Sequence, residues 1–472
     1  MLKNYTESNP LDLTSYLRLN NLSWSIITKY VNLFQKQIYE LSSIGDSVQV
    51  RKMQKQLFND ENAILLAIRH LSNRNVQYQI KSSNSKSDFL FFNASHSLHM
   101  DYINKIACDN VTIDLVLQEL LLIILRPEWE ARIEPNSYCL SSKLATNQAV
   151  IKTYSILSEN ASYIDSTIFV GRLHNWLDEL NTPVILKKGN YGGDLKENIL
   201  LTCTESLISL SANLLNKNFQ STDIIVFAHN SIVTLLINIL LYGLEKVIEW
   251  RMNSFYGYSR KRNLDKVMTI VLSNHFLIVF PDNNLQHISL IVNTVRSFFQ
   301  SAGLELENSS LNVNSIHDGF DFLGFNFKRY ANNHTWNDQE TKLIIRPTNS
   351  NIKKHLLSMR YCLYHKDRLN RWRANAQMTQ YDVINRLNPL IKNFSQYYQD
   401  IVPVSSLRLL DRTLNEVIYR YAVKKYKSDR SKKWDSNWTA IVNGKKVIAY
   451  KNETKLGYHF LYLHIQKYEV KG

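Results

Sequence analysis

Cysteine is scarce: Cys108, Cys139, Cys203 and Cys362 stand far apart, with no CxxC pair. That spacing excludes a zinc ribbon or a disulfide framework and fits a reducing compartment. An unbroken apolar run long enough to span a bilayer is also missing. The longest apolar region, IIVFAHNSIVTLLINILLYGLE at 224–245, is interrupted by His229, Asn230 and Asn238, and reads as a buried strand followed by a buried helix. The opening MLKNYTESNP has no basic segment leading into an apolar stretch and no arginine, so neither a secretory signal nor a transit peptide is expected. Internal repeats and low-complexity tracts are absent. Acidic residues are missing from one telling place. VMTIVLSNHFLIVF, residues 267–280, reads as strand, tight turn, strand, with the polar tip Ser273–Asn274–His275. A tip that handles metal and phosphate needs carboxylates, and this one has none.

The 472 residues, 44% hydrophobic and 11% aromatic, suffice for packed cores; at roughly 100–200 residues per domain they allow two or three domains. Charge is distributed unevenly. The net is +15, from 56 Lys and Arg against 41 Asp and Glu. Residues 341–472 hold 26 basic and 9 acidic residues, a net of +17, which leaves 30 basic and 32 acidic, a net of −2, in residues 1–340. A last quarter that carries all the excess positive charge points to a polyanionic partner, nucleic acid before a merely solvated surface. Abundant Asn, Lys, Ile, Leu, Tyr and Ser hint at AT-rich coding, as in an organellar genome.

Periodicity organises the chain. WSIITKYVNLFQKQIYELSSIGD places Trp24, Ile27, Val31, Phe34, Ile38 and Leu41 on one helical face, ended by Gly45–Asp46. A second helical stretch turns Met53, Leu57, Ile64, Leu65 and Ile68 inward and leaves Lys36, Arg51, Lys52 and Lys55 as an exposed basic set that, taken alone, reads as a solvated face before a binding site. Residues 81–99 read as a loop, and residues 112–129 as a helix ending before Pro127. Strand-like and helical runs alternate over 161–280, predicting an α+β fold with a mostly antiparallel sheet. An amphipathic helix is expected at 287–303, then short strands around a glycine turn at 304–330. The polar stretch 332–341 marks a domain boundary where the charge balance changes sign.

Three stretches together resemble the maturase and reverse transcriptase proteins encoded by group II introns. GFDFLGFNF (319–327) is similar to the family's strand before the thumb, LRPEWEARIEPNSY (125–138) to part of its fingers, and LNPLIKNFSQYY (387–398) to the signature helix of its maturase domain, domain X. LINILLYGLE (236–245) is similar to a palm helix and KSDRSKKW (427–434) to the basic stretch after the maturase helices. The resemblance implies a right-hand, polymerase-like α+β architecture. Its parts would be an N-terminal helical extension (1–80), degenerate reverse transcriptase fingers and palm (81–340), the helical thumb or domain X (341–426) and a basic RNA-binding segment (427–472).

The departures from the family shape the functional expectation. Its polymerases hold two divalent metals with carboxylates, because Mg²⁺ prefers hard anionic oxygens. The matching positions are Thr167, Asn274 and His275. Asp165 lies two residues before Thr167, roughly 6.6–7 Å away along a strand. Ser141 and Leu144 stand for two arginines of the triphosphate pocket, Ala228–His229–Asn230 for the Gln-Gly-Gly turn and Ser310 for a palm lysine. The chain ends at QKYEVKG without the family's His- and Cys-bearing endonuclease module. The resemblance therefore implies an intron maturase with neither catalytic residues nor a cofactor of its own. It would bind group II or related intron RNA and stabilise the RNA's active fold, in an organelle, chloroplast or alternatively mitochondrion. A membrane or small-molecule substrate is not implied, and a dimer is left open. The residues expected to meet RNA are Lys36, Arg51, Lys52, Lys55, Lys392, Lys424, Lys425, Lys427, Arg430, Lys432, Lys433, Trp434, Lys467 and Lys471. Leu387, Leu390, Ile391, Phe394 and Tyr398 are expected in the core, with Tyr397 either structural or RNA-facing and Asn388–Pro389 near the helix start. The competing readings are a general RNA-binding scaffold, a still active polymerase with displaced acids, and a reading frame whose product has lost its function.

Overall fold

The computed structural model describes residues 23–73, 113–138, 145–173, 182–189, 191, 232–256, 267–272, 274–304, 311–331, 341–425, 430–442, 444–452 and 457–466. They form a mixed helix and strand, α+β fold. The chain divides into two compact units, Met1–Ala149 with Gly171–Asn312, and Val150–Val170 with Val313–Gly472. The strand expected at 224–231, the loop at 81–99, the linker 332–340 and positions 141, 144, 228–230, 273 and 310 lie outside the described residues.

In the first unit, helices α1 (Trp24–Ile44), α2 (Ser47–Phe58) and α3 (Glu61–Asn73) pack around α4 (Ile113–Arg132). Gly45 ends α1 with φ +89°, a left-handed conformation that costs a glycine little. Asp46 then caps α2 by accepting from the Gln49 amide at 3.1 Å. Of the expected inward residues, Ile27, Val31, Ile38, Leu57, Ile64, Leu65 and Ile68 are buried, while Trp24, Phe34, Leu41 and Met53 are only partly so.

α4 continues through Pro127 to Arg132, beyond the end the sequence suggested. Proline cannot donate to the carbonyl four residues back, and that orphaned Ile123 carbonyl instead accepts from the Gln35 side-chain amide at 2.9 Å. α5 (Ala145–Glu159) passes from the first unit into the second. In the first unit follow α6 (Thr182–Gly189), α7 (Ile232–Leu241), α8 (Leu244–Tyr256) and α9 (Leu285–Ser301). The Lys188 ammonium caps the end of α7 through the carbonyls of Leu240 (2.6 Å) and Tyr242 (3.0 Å). Burial lowers its pKa to about 8.

β1 (Thr167–Arg172) passes from the second unit into the first. In the first unit the strand order is β2 (Met268–Leu272), β3 (His275–Phe280), β1. β2 and β3 pair antiparallel from Met268↔Val279 to Leu272↔His275, and eight side chains of this hairpin from Ile270 to Phe280 are buried. Residues buried on both faces read as a continuous apolar run, which is why the sequence shows no alternation there.

In the second unit β1 neighbours β4 (Leu311–Ser315). β5 (Phe320–Phe322), β6 (Phe325–Ala331) and β7 (Thr341–Pro347) form an antiparallel sheet, with the facing rings of Phe320 and Phe327 stacked at 5.0 Å. Helices α10 (Asn349–Leu363), α11 (Gln380–Tyr398) and α12 (Val404–Lys425) enclose a core that includes Met359, Leu363, Ile384, Leu387, Ile391, Leu414 and Ile418. The hairpin β8 (Tyr364–Lys366) and β9 (Trp372–Ala374) interrupts the helices. The short helix α13 (Arg430–Asn437) leads into an antiparallel sheet of β10 (Thr439–Val442), β11 (Lys445–Asn452) and β12 (Gly457–Phe460). No helix among the described residues is long and apolar enough to cross a membrane.

Candidate nucleic-acid interface

The positions expected from the resemblance to stand for polymerase acids, Thr167, Asn274 and His275, are held by the fold. Thr167 opens β1 and is 3% exposed. Asn274 turns back on β1's far end: its carboxamide donates to the Leu173 carbonyl at 3.1 Å, and its own carbonyl accepts the Leu173 amide at 2.8 Å. His275 is the first residue of β3, paired with Leu272, and so lies inside the ladder and not at the tip. Asp165 faces His317, whose Nε2 lies 2.9 Å from Oδ1, and is well exposed. A divalent pair needs anionic oxygens; a buried hydroxyl, a carboxamide engaged with backbone and a strand imidazole do not supply them. Among the described residues no group of three or more His, Cys, Asp or Glu is placed to hold a metal ion.

The two sequence signatures of the second unit meet as one joint. The turn between β5 and β6 has Leu323 at φ +49° and Gly324 at φ +82°. Such a two-residue turn suits the twist of a hairpin. The Tyr397 hydroxyl donates to the Leu323 carbonyl at 2.7 Å and the Tyr398 hydroxyl to the Gly324 carbonyl at 3.0 Å. Phe325 packs on both rings, at 5.4 and 4.9 Å. A Cβ on Gly324 would come within 2.6 Å of the Asn351 amide and 3.2 Å of the Tyr398 hydroxyl. Thus GFDFLGFNF and the signature helix are coupled, and Tyr397 has a structural anchor although 38% exposed.

α11 begins at Thr379–Gln380, earlier than the Asn388–Pro389 start expected, because Thr379 and Asp382 form a reciprocal capping box. Pro389 lies inside the helix, and Asn388 clamps the C-terminal segment: it donates to Phe460 O at 3.0 Å and accepts from Tyr462 N at 2.8 Å. Leu387, Ile391 and Tyr398 are buried and Leu390 is partly so, as expected of the core face.

The predicted cations fall into distinct settings. Arg51 is held in the interior of the first unit. It makes two bonds to the 2%-exposed Glu128 at 2.7 and 2.8 Å, reaches the Gly189 carbonyl and lies over Tyr191. Arg132 and Gln54 complete that carboxylate's partners. Lys36, Lys52 and Lys55 are exposed, Lys36 beside Glu40 at 3.7 Å. In the second unit Lys392 is half-buried, Lys424 is exposed 5.3 Å over the Tyr364 ring, and Lys425 donates to the Met378 carbonyl. Lys432 is exposed, Lys433 half-buried, and Arg430 opens α13. Trp434 stacks with Trp438 at 6.1 Å and meets Tyr419 edge-on at 5.2 Å, so its ring is packed. Lys427, Lys467 and Lys471 lie outside the described residues.

The sequence reading passed over the β8–β9 hairpin. Cross-strand pairing puts His365 opposite Arg373 and Lys366 opposite Trp372. Tyr364, Trp372 and Ala374 face the core, and His365 and Arg373 face solvent. Trp372 is covered by Arg360 at 4.3 Å and by Tyr361 at 5.0 Å. The available signal was DRLNRWR, 367–373: an acid followed four and six residues on by arginines.

Residues 364–438 match the model of the group II intron, maturase-specific domain. The chain is 22% identical over 407 residues to "Maturase-like protein 1" of Euglena longa, covering 80% of this chain and 78% of that protein. Among solved structures it is similar to telomerase from Candida albicans in complex with a TWJ fragment of telomeric RNA, at 12% identity and a TM-score of 0.26. That likeness covers 62% of this chain and 52% of the telomerase chain, so the protein spans about half the length of that relative. A score so low adds nothing to the fold assignment. By sequence, the chain is similar to group II intron maturases, and residues 364–438 match the maturase-specific domain of that family.

Proposed function

We propose that the protein is a maturase that binds a group II-type intron RNA in a precursor transcript and assists splicing by stabilising the RNA's active fold. The observation that carries this reading is the maturase-specific domain at 364–438, within the quarter that holds the net charge of +17. Lysine and arginine neutralise phosphates and release counterions, so affinity follows charge and falls with salt. Transesterification belongs to the RNA, with the metal ions it binds. The protein then needs no nucleophile or base, and the replaced acids at Thr167, Asn274 and His275 do not weigh against the role. Reverse transcription is not part of the proposal. An organelle is the proposed setting, on the AT-rich coding bias.

The test is a filter-binding titration of the full chain against a group II intron transcript and an unrelated structured RNA of equal length, with splicing of the host intron scored in parallel. Preference for the intron transcript and loss of splicing on depletion support the reading. Equal affinity for both RNAs with unchanged splicing would leave a general RNA-binding scaffold. Primer extension on an RNA template with Mg²⁺ or Mn²⁺ should give no cDNA above a heat-killed control; template-dependent product would restore the polymerase reading. Lys424→Ala with Lys432→Ala should weaken intron binding several-fold and lower the log–log salt slope by roughly 1.4–1.8.

A further inference from the structure

A single carboxylate organises the tip of the β8–β9 hairpin. Asp367 Oδ1 accepts the amides of Leu369 and Arg371, both at 2.9 Å. The loop is closed further by Asp367 N to Arg371 O and Asn370 N to Asp367 O, each 2.9 Å, with Asn370 at φ +62°. Asp367 Oδ2 accepts the Nε of Arg371 at 3.0 Å and the Nε of Arg373 at 3.1 Å. These four contacts hold the carboxyl below the usual carboxylate range, the Arg371 amide first among them.

The geometry has a specific consequence. Each guanidinium is bound through Nε and remains more than half exposed, 58% for Arg371 and 54% for Arg373. Its two terminal nitrogens form the fork that suits a phosphate. Asp367 itself is only 20% exposed, beneath the arginines it holds. Arg51, by contrast, turns both terminal nitrogens onto Glu128 and has no fork left to offer.

We propose that Asp367 presents Arg371 and Arg373 as a pre-oriented pair of guanidinium forks that grip backbone phosphates of RNA. This rests on the reading of the chain as an RNA-binding maturase and names the element that makes the contact. Asp367 is a positioning residue. Fixing two long side chains beforehand removes entropy that binding would otherwise cost. Phosphate contacts carry no base information, so the hairpin contributes affinity and register but not sequence preference. RNA is favoured over an acidic peptide because the hairpin lies within residues 364–438, which match the group II intron maturase-specific domain.

The discriminating variant is Asp367→Asn. It makes the protein more positive, so diffuse electrostatics predicts tighter RNA binding. The positioning role predicts weaker binding, about three- to five-fold. Arg371→Ala with Arg373→Ala should weaken binding about ten-fold and flatten the salt slope by roughly 1.4–1.8. Asp367→Asn placed on that double variant should add nothing, since its effect runs through the missing arginines. The full chain is titrated against the intron transcript and against two intron RNAs of different sequence, with circular dichroism confirming the fold of each variant. Losses should be equal across the RNAs. Tighter binding by Asp367→Asn, or wild-type affinity in the double arginine variant, overturns the proposal while the maturase reading stands. Loss only toward an acidic peptide, with RNA binding intact, assigns the hairpin to a protein partner and overturns it too. Absence of RNA binding by the unaltered chain would defeat the maturase reading itself and the hairpin proposal with it.

Discussion

Two hairpins in this protein treat acidic residues in opposite ways. β2–β3 has neutral residues at its turn: Asn274 is tied to Leu173 by two hydrogen bonds, and Phe276 fills the space beside Gly171. β8–β9 has kept one carboxylate, Asp367, and surrounds it with two amides and two guanidiniums. The first is stabilised by burial and backbone complementarity, the second by charge-assisted bonds at the surface. An unpartnered carboxylate would be costly in the buried first hairpin, where water cannot hydrate it, whereas at the surface the acid serves to order the groups around it.

The largest test acts on the first hairpin. A Cβ at position 171 would fall 2.0 Å from the Phe276 ring, which is fully buried and packed 5.2 Å from Phe299. Gly171→Ala is expected to destabilise the fold by about 3 kcal/mol through overpacking. Chemical denaturation should show this, while the salt slope of RNA binding by the remaining folded protein stays unchanged. A fallen salt slope would mean that the first hairpin also contacts RNA.

A smaller effect is expected on acidification, and it reports on the second unit's interior. His355 Nε2 lies 2.9 Å from His464 Nε2, and Asp411 holds the far nitrogen of His464 at 2.7 Å. Burial, then the neighbouring His464, lower the His355 pKa to about 3 from 6.5. The unfolded chain therefore binds a proton below about pH 6.5 that the folded chain refuses until about pH 3, so stability falls as pH is lowered through that window. Between pH 7 and 5 the loss should be roughly 2 kcal/mol. His355→Gln, which cannot titrate, should show a shallower decline. An equally steep decline in that variant would place the titration elsewhere.

Asn274→Asp should have the smallest effect of the three. It replaces a donor facing the Leu173 carbonyl with a carboxylate that repels it, at about 1–2 kcal/mol. The same chemical change, an acid for an amide, is the reverse of Asp367→Asn, and both should be unfavourable, one for stability and one for RNA affinity. A stabilising Asn274→Asp would show that the first hairpin accommodates a carboxylate there.

By itself the sequence determined the long amphipathic helices with their inward faces, the β2–β3 hairpin and the concentration of charge after residue 340, but not the short strands beyond residue 363. Those properties are local or additive: Ile27, Val31 and Ile38 are buried because their spacing repeats with the helix, and a net charge is a sum over residues. The β2–β3 hairpin is legible because a strand–turn–strand pattern with polar residues at its tip is visible along the chain. Only the tertiary structure decided which cations are available. Arg51 and Lys36 look alike in sequence, yet one meets a buried glutamate 77 residues away and the other lies exposed beside Glu40 of its own helix. The same holds for the prolines. Pro127 and Pro389 read as helix boundaries, and both sit inside helices. At Pro127 a partner far along the chain, Gln35, takes the carbonyl that proline leaves open. Contacts between distant residues are set by packing, and no spacing rule within one segment encodes them.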